Sequence, residues 1–474
     1  MRRFLMLIVA TALIASIFVG CNAIPSELQA DKKVRTYTTE GKETKLIPDL
    51  NATGELVIDT SNIDTSFSDP KTADSMFKAT QIFNELYPNV KVTINRIDPK
   101  ISYEEYSDKM NVRMMAGKGP DILTYNGTCA PFRQIDIYKM AKAGAIVDMY
   151  DYFEKDKNFN PSDYNQAIFT GAQFSGGQYV IPLTYEIPLM ITSQSIIDES
   201  GLNVKKCVDY ESCIDQIGEF SQKYATNKNA ILNFILASDM LFYSGVPFVD
   251  YEQATVVLDT PQVKELFEKQ KKYFSDRVNN DYIIQAGDGE DATQIKDKKA
   301  VMAQQYQSFN ETFINMQTML KFDKPVFFPW RDVNGKIQAT VNEGVVVSNT
   351  CKNVENAYRF IKVLMSEQVQ ADDWQNTSMG VPICNKAVDT RITVLFNRTM
   401  RKNWNEELYD PLSKEQETLK KQYIDLLKDI DGVTVNSNVY MYLYTIMQPY
   451  LKGEKSYEEC ITELQQKLEI YISE

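Results

Sequence analysis

Two stretches decide the fold: NELYPNVKVTINRID at residues 84–98 and MMAGKGPDILTYNG at residues 114–127. In the first, Tyr87-Pro88-Asn89 stops a helix, because proline cannot continue the amide ladder and asparagine suits a turn. Val90, Val92 and Ile94 then alternate with polar residues, the two-residue period of a strand. In the second, Gly117-Lys118-Gly119-Pro120 ends a helix predicted from about Tyr103 to Ala116. Asp121 to Tyr125 follows as another short strand. Towards the N-terminus, Met76, Phe77, Ala79, Ile82, Phe83 and Leu86 share one helical face, and Glu55 to Asp59 (ELVID) reads as a buried strand. This strand–helix–strand–helix–strand order predicts an α/β fold with parallel strands and helical crossovers. Ligands of such open sheets sit beyond the carboxyl ends of the strands.

Further along, residues 195 to about 300 read as mostly helical, with Asp259-Thr260-Pro261 as one helix start. Ser456 and Glu459 form an S-x-x-E capping box, after which Tyr457, Cys460, Ile461, Leu464, Leu468 and Tyr471 mark one apolar face. A chain of 474 residues exceeds what one core serves, so two domains are expected.

The N-terminus opens Met1-Arg2-Arg3, runs apolar from Phe4 to Val19, and reaches Cys21 behind the small Gly20. That is the layout of an export signal, and the apolar run is shorter than the ~20 residues of a spanning helix. Its V-G-C ending resembles the bacterial lipobox, with Phe18 where leucine is usual. The resemblance implies cleavage after residue 20 and diacylation of Cys21. The plainer reading is a secretory signal with an incidental cysteine. Residues 22–53 are polar without apolar period and are expected to form a flexible tether.

The net charge is −13 and becomes −15 once Arg2 and Arg3 leave with the acid-free signal, which argues against nucleic acid or anionic lipid as a partner surface. The chain has no histidine, which removes Ser-His-Asp and Cys-His chemistry and imidazole metal ligands. Cys129, Cys207, Cys213, Cys351, Cys384 and Cys460 contain no CxxC pair. Cys207 and Cys213 are spaced for either a disulfide or two free thiols. Asp288-Gly289-Glu290-Asp291 lacks calcium-loop spacing, and no GxxxxGK[ST] phosphate loop occurs. No cofactor or metal is expected.

With these elements in place, the chain resembles the bacterial extracellular solute-binding proteins of ABC importers, in the carbohydrate-binding group that includes maltose-binding protein. The two opening stretches carry the resemblance. So do GGQYVIPLTYEIPLMITSQSIIDESGL (176–202), DKKAVMAQQYQSF (297–309), NEGVVVSNTCKNVENAYRFIKVLMSEQVQADDWQNTSMGVPICNKAV (342–388) and YLKGEKSYEECITELQQKLEIY (450–471), in that order. The resemblance implies two α/β lobes of the type II periplasmic-binding-protein-like fold, each a mixed sheet flanked by helices. Lobe 1 would comprise 54–184 and 344–384, and lobe 2 185–343 and 385–474. It also implies a monomer that carries its ligand to separate permease and ATPase proteins.

Sugar sites pair aromatic rings, which stack on the C–H faces of pyranoses, with carboxylates and amides for the hydroxyls. By motif position the resemblance nominates Tyr125 and Asn126 after the GPD strand, Tyr185 and Glu186 after Ile181-Pro182, and Tyr440 thirteen residues before Gly453. Tyr306 and Phe309 follow the AVM stretch without the usual Gly-x-Trp there, and Trp330 stands beside Arg331. Asn62 and Asp64 lie in the loop after the first strand. Each aromatic has a rival reading as core and Glu186 one as a structural hinge ion pair. The leading expectation is a lipid-anchored, non-enzymatic receptor for a sugar or oligosaccharide. Alternatives are the same fold with a polyol phosphate, peptide or uronate, and a surface glycosidase, for which no second carboxylate pairs with Glu186.

Overall fold

In the computed structural model, the structure describes residues 33–38, 43–60, 75–98, 100–127, 135–223, 231–232, 238–274, 290–305, 309–371, 380–398, 411–435 and 438–474. The opening elements fall where the sequence predicts them. Strand β1 (Gly54–Thr60) pairs in parallel with β2 (Val90–Arg96), Leu56 opposite Val92 and Ile58 opposite Ile94. On its other edge β1 pairs in parallel with β3 (Ile122–Asn126). Helices α1 (Ser75–Leu86) and α2 (Tyr103–Met115) make the crossovers. Ser102 caps α2 by accepting from the Glu105 amide at 3.1 Å, leaving one fewer orphan donor in its first turn.

The large sheet continues with β4 (Ile181–Glu186), β11 (Ile337–Val347), β12 (Val381–Pro382) and β13 (Ile430–Thr434). Its order is β12-β4-β11-β3-β1-β2, with β13 parallel to the first half of β11. A second, four-stranded sheet takes the order β10-β5-β9-β6, from Pro325–Pro329, Leu189–Ser193, Met302–Gln305 and Ile231–Leu232. Val249–Asp250 (β7) and Thr255–Val256 (β8) form a small hairpin. Helix α3 (Ile137–Lys142) belongs beside the large sheet, and α4 (Tyr210–Lys223) lies within the span that carries the second. In the C-terminal half, α5 (Phe309–Met319), α6 (Val354–Leu364), α7 (Asn385–Arg398), α8 (Lys414–Leu426), α9 (Asn438–Leu451) and α10 (Tyr457–Ser473) complete the framework used below. Both halves of the capping box at Ser456 and Glu459 are made.

The sheets are joined at Ile187-Pro188, where β4 of the first passes into β5 of the second. The chain returns through residues 330–336, between β10 and β11. Tyr185 and Glu186 are still paired in the large sheet, opposite Val341 and Thr340. All of β11 lies in that sheet, rather than only the part after residue 344, and so does β13. The apolar pattern does not reveal this, because β4 is buried on both faces and runs without alternation into β5.

The tether differs more. Residues 33–38 and 43–53 are packed chain, not free linker. Tyr37 is buried, stacks on Tyr150 at 4.6 Å between centroids and donates to Gln178 Oε1 at 2.9 Å. Lys45 N–H donates to the Asn158 carbonyl at 2.8 Å, and Tyr87 donates to the Ile47 carbonyl at 2.9 Å. From one face of α6, Asn356 donates to the Thr53 carbonyl, Arg359 pairs with Asp49 at 3.0 Å and Lys362 donates to the Lys45 carbonyl at 3.0 Å. A strap held by one buried ring and by polar contacts leaves no hydrophobic period to read.

Candidate functional site

The changeover from β4 to β5 lies beside a buried polar cluster. Glu186, the last residue of β4, is opposite Thr340 of β11. Asn342 Nδ2 donates to Glu186 Oε1, and Thr184 Oγ1 donates to Asn342 Oδ1 at 3.3 Å. Glu343 is opposite Asn126 of β3 on one side and Thr184 of β4 on the other. The pairing of β11 with β4 is irregular on both sides of Glu343. Such bulges turn consecutive side chains out of simple alternation and recur beside binding sites. Glu186, Asn342 and Glu343 are all buried.

Gly380 closes the cluster. A Cβ there would come within 2.9 Å of the Tyr185 carbonyl oxygen and of Asn342 Cβ, so only glycine fits without displacement. Its carbonyl receives Arg391 Nη1 of α7 at 3.4 Å, and Arg391 Nη2 donates to Asn310 Oδ1 at 2.5 Å. The same guanidinium lies 5.2 Å from the centroid of Phe309. Tyr185 is 1% exposed, and its hydroxyl accepts from Asn165 Nδ2 at 3.1 Å. Burial pushes its phenol up from the usual range. Tyr185, Glu186 and Phe309 are thus gathered in one neighbourhood through Gly380 and Arg391.

A second group consists of tyrosines. Tyr125 on β3 lies against Gly344 of β11, its ring 2.7 Å from where a Cβ would stand. It is 1% exposed, and its hydroxyl is buried with no hydrogen-bond partner among the described residues, which marks it as a core ring. Burial drives its phenol well up, and the nearby Tyr138 and Tyr103 add to this. The amide of Asn126, half-buried, donates to the Tyr103 hydroxyl at 3.4 Å. Tyr138 of α3 stacks on Tyr251 at 4.0 Å between centroids. Tyr251 in turn is near Tyr440 of α9, which is half-buried and packs edge-on against Phe242 at 4.7 Å. Tyr138 and Tyr251 pack against the core cluster that holds Tyr125, and Tyr251 and Tyr440 both pack against the larger cluster. The two groups adjoin where Glu343 and Gly344 face Asn126 and Tyr125.

The other nominated residues separate from these. Trp330 is 1% exposed, its ring 5.9 Å from Tyr210, and its amide donates to the Pro188 carbonyl at 3.0 Å. It packs the changeover from within the core. Asn62, Asp64, Tyr306 and the lipidation candidate Cys21 lie outside the described residues. Sequence reasoning missed Asn342, Glu343, Tyr138 and Tyr251. Glu343 supplies a buried carboxylate on the strand next to Glu186, and its only sequence signal is NEG ahead of the apolar VVV.

A cavity of about 1010 Å³ opens between the strap and α6 and contains none of the nominated residues. Its cations are engaged in ion pairs, Arg35 with Asp148, Lys155 with Asp151, Arg359 with Asp49 and Lys362 with Asp156. Among the described residues, no three Cys, Asp or Glu groups converge as a metal site would require, and no helix is long and apolar enough to cross a membrane.

The family model of bacterial extracellular solute-binding proteins matches residues 64–371, and the chain belongs to that family, whose members act outside the cytoplasm. A sequence search of the curated proteins found no match. Among solved structures, the chain is similar to the sugar-binding protein MalE of Xanthomonas citri, at 13% identity and TM-score 0.61, over 88% of this chain and 97% of that one. It is similar to an ABC substrate-binding protein from Listeria monocytogenes in complex with cycloalternan, at 13% identity and TM-score 0.57, over 89% and 100%. The GacH receptor of Streptomyces glaucescens, solved unliganded and with acarbose, matches at 13% identity and TM-score 0.56, over 89% and 99%. These likenesses establish the type II periplasmic-binding-like fold.

Proposed function

We propose that this chain captures a sugar or oligosaccharide between its two lobes and delivers it to an ABC permease. The observation that carries the reading is the hydrogen-bonded Glu186–Asn342 pair at the changeover between sheets, on β4 and on β11 next to β3, where Tyr125 faces Gly344 and Tyr138 and Tyr251 pack against the cluster that holds Tyr125. Carboxylate and amide suit sugar hydroxyls, and phenol rings suit pyranose faces. The ligands named for the similar structures, cycloalternan and acarbose, are saccharides, which supports the same class here. Ile187-Pro188 and residues 330–336 serve as the hinge, and ligand stabilises the closed arrangement by bridging both lobes. Tyr125 and Tyr185 are buried in this arrangement, so they contact ligand only if the lobes part around them.

The chain works by binding, with no chemical step, and acts as a monomer with separate permease and ATPase proteins. Diacylation at Cys21 holds it on the outer face of the cell membrane, keeping the site near the permease at high effective concentration. A cell carrying Cys21→Ala should lose uptake while the purified variant binds as before. Equal uptake by that cell would remove the anchor from the account. Incubation with oligosaccharide should release no reducing ends. Release that depends on Glu186 and Glu343 would turn the reading to a glycosidase.

A further inference from the structure

The start of α4 holds two cysteines in an arrangement that no sugar-binding role requires. Asp209 and Ser212 form a reciprocal cap: Ser212 N–H donates to Asp209 Oδ1 at 2.9 Å, and Asp209 N–H donates to Ser212 Oγ at 3.1 Å. Val208 N–H also donates to Ser212 Oγ at 3.1 Å, so the chain before the helix is fixed back over its first turn. With Tyr210 as the first helical residue, Cys213 is the fourth, and Cys207 lies two residues before the cap. A residue just ahead of a cap commonly packs on the fourth helical residue as a hydrophobic staple. Val208, next to the cap, is 58% exposed and leaves that place open. Cys207 fills it: both thiols are buried, and the Cys213 S–H donates to the Cys207 sulfur.

This turn also supports the return between sheets. Tyr210 N–H donates to the Asp332 carbonyl at 3.1 Å, Tyr210 packs on Trp330, and the Arg331 amide donates to the Cys213 sulfur. We propose that Cys207 and Cys213 are a disulfide-forming pair, closed by thiol–disulfide exchange outside the cytoplasm, which fastens the turn under residues 330–336. A location outside the cytoplasm, where disulfides persist, is the one premise taken from the family.

The direction of the exchange follows from the contact. The hydrogen bond from Cys213 holds the Cys207 thiol below its ordinary range, and the same bond together with burial pushes the Cys213 thiol up. Cys207, also the less enclosed of the two at 6% exposed against 0% for Cys213, attacks as the thiolate on one sulfur of a small or protein disulfide, releasing one thiolate. Cys213 then gives up its proton, attacks the Cys207 sulfur and releases the second thiolate. Two thiols are oxidised to one disulfide, and the incoming disulfide is reduced to two thiols.

The test uses the purified full-length protein equilibrated with oxidised glutathione, then denatured, alkylated and digested with trypsin. Cleavage after Lys206 and Lys223 leaves both cysteines on one peptide, residues 207–223. The expected result is that this peptide escapes alkylation and is lighter than the dithiol form by two hydrogens, while Cys351, Cys384 and Cys460 are alkylated. Alkylation of both Cys207 and Cys213, a glutathione left on either, or a cross-link to another cysteine would overturn the proposal. Because it needs no sugar and no cell, the result stands apart from that of the binding reading. In a second measurement, the oxidised protein should melt a few degrees above the reduced one, and Cys207→Ser should abolish the difference. An undiminished redox difference in that variant would also overturn the assignment.

Discussion

Asn342 uses both ends of its amide across β4 and β11, donating from Nδ2 to Glu186 Oε1 and accepting at Oδ1 from Thr184 Oγ1. That fixes which way the amide points, and through it the carboxylate of Glu186, at the residue where the chain leaves one sheet for the other. A carboxylate held this way is oriented before any ligand arrives, so less ordering is left to binding. Glu186→Gln should keep an oxygen that accepts from Asn342 Nδ2 but replace the charged acceptor offered to ligand hydroxyls with a neutral amide. Hydrogen bonds to charged groups contribute about 1.5–3 kcal/mol, so saccharide affinity should fall about 10- to 100-fold, read by calorimetric titration. An unchanged dissociation constant would remove Glu186 from the site.

Gly380→Ala should damage the same site indirectly. Its Cβ would meet a backbone carbonyl oxygen, Tyr185 O, at 2.9 Å, and a backbone atom cannot rotate aside. Overpacking costs about 1–3 kcal/mol. The variant should melt lower than the wild type and bind saccharide more weakly, because Asn342 Cβ is the other atom displaced. A normal melting temperature would show that the contact is slack.

The parallel core was legible because its periods are simple. Val90, Val92 and Ile94 alternate, Met76 to Leu86 repeat at helical spacing, and Gly117 to Pro120 interrupts between elements. The strap was not legible, since Tyr37 is its single buried ring, and Lys362 and Asn356 bind its backbone while Arg359 pairs with its Asp49 side chain, all from more than 300 residues away. For the proposed site, the motif around Ile181-Pro182 nominates Glu186 and Tyr185 from sequence. It does not nominate Glu343 and Asn342, because a bulge in β11 and not an alternating pattern sets where they lie. Tyr138 and Tyr251 meet only through the tertiary fold.

Asp136 gives a pH-dependent test of the contact between α3 and the last helix. Its carboxylate accepts from the Tyr471 hydroxyl at 2.8 Å and from the Lys139 amide at 3.1 Å. Burial raises its pKa above the usual range, more than these hydrogen bonds lower it. Between the ordinary value of about 4 and the raised one, the native state binds more protons than the unfolded chain, so stability falls as pH rises through that window. Asp136→Asn keeps an acceptor and a helix cap. It should therefore melt close to wild type at about pH 4 and above it at about pH 7.5, once the buried charge is gone. The reverse order at neutral pH would mean that the charge itself is needed.

Lys362 tests the strap. Its ammonium is buried against Asp156 at 2.5 Å, and Tyr358 donates to the same carboxylate at 2.8 Å. Burial alone would raise the Asp156 pKa, but hydrogen bonds from Lys362, the Asn158 amide and Tyr358 outweigh it and hold the group low. Such a group adds stability above its unfolded pKa and loses it as pH falls through the folded value. Lys362→Met should cost about 3 kcal/mol, flatten the acid side of the stability profile and speed amide exchange over residues 43–53. Unchanged exchange there would mean that the strap is held without Lys362.

Calorimetric titration of the mature chain with a panel of neutral mono- and oligosaccharides tests the central claim most directly. Saturable 1:1 binding of at least one of them, with a matching rise in melting temperature and weakening by Glu186→Gln, is the expected result. No heat and no melting shift with any saccharide, together with tight binding of a peptide, a polyol phosphate or a uronate, would contradict it.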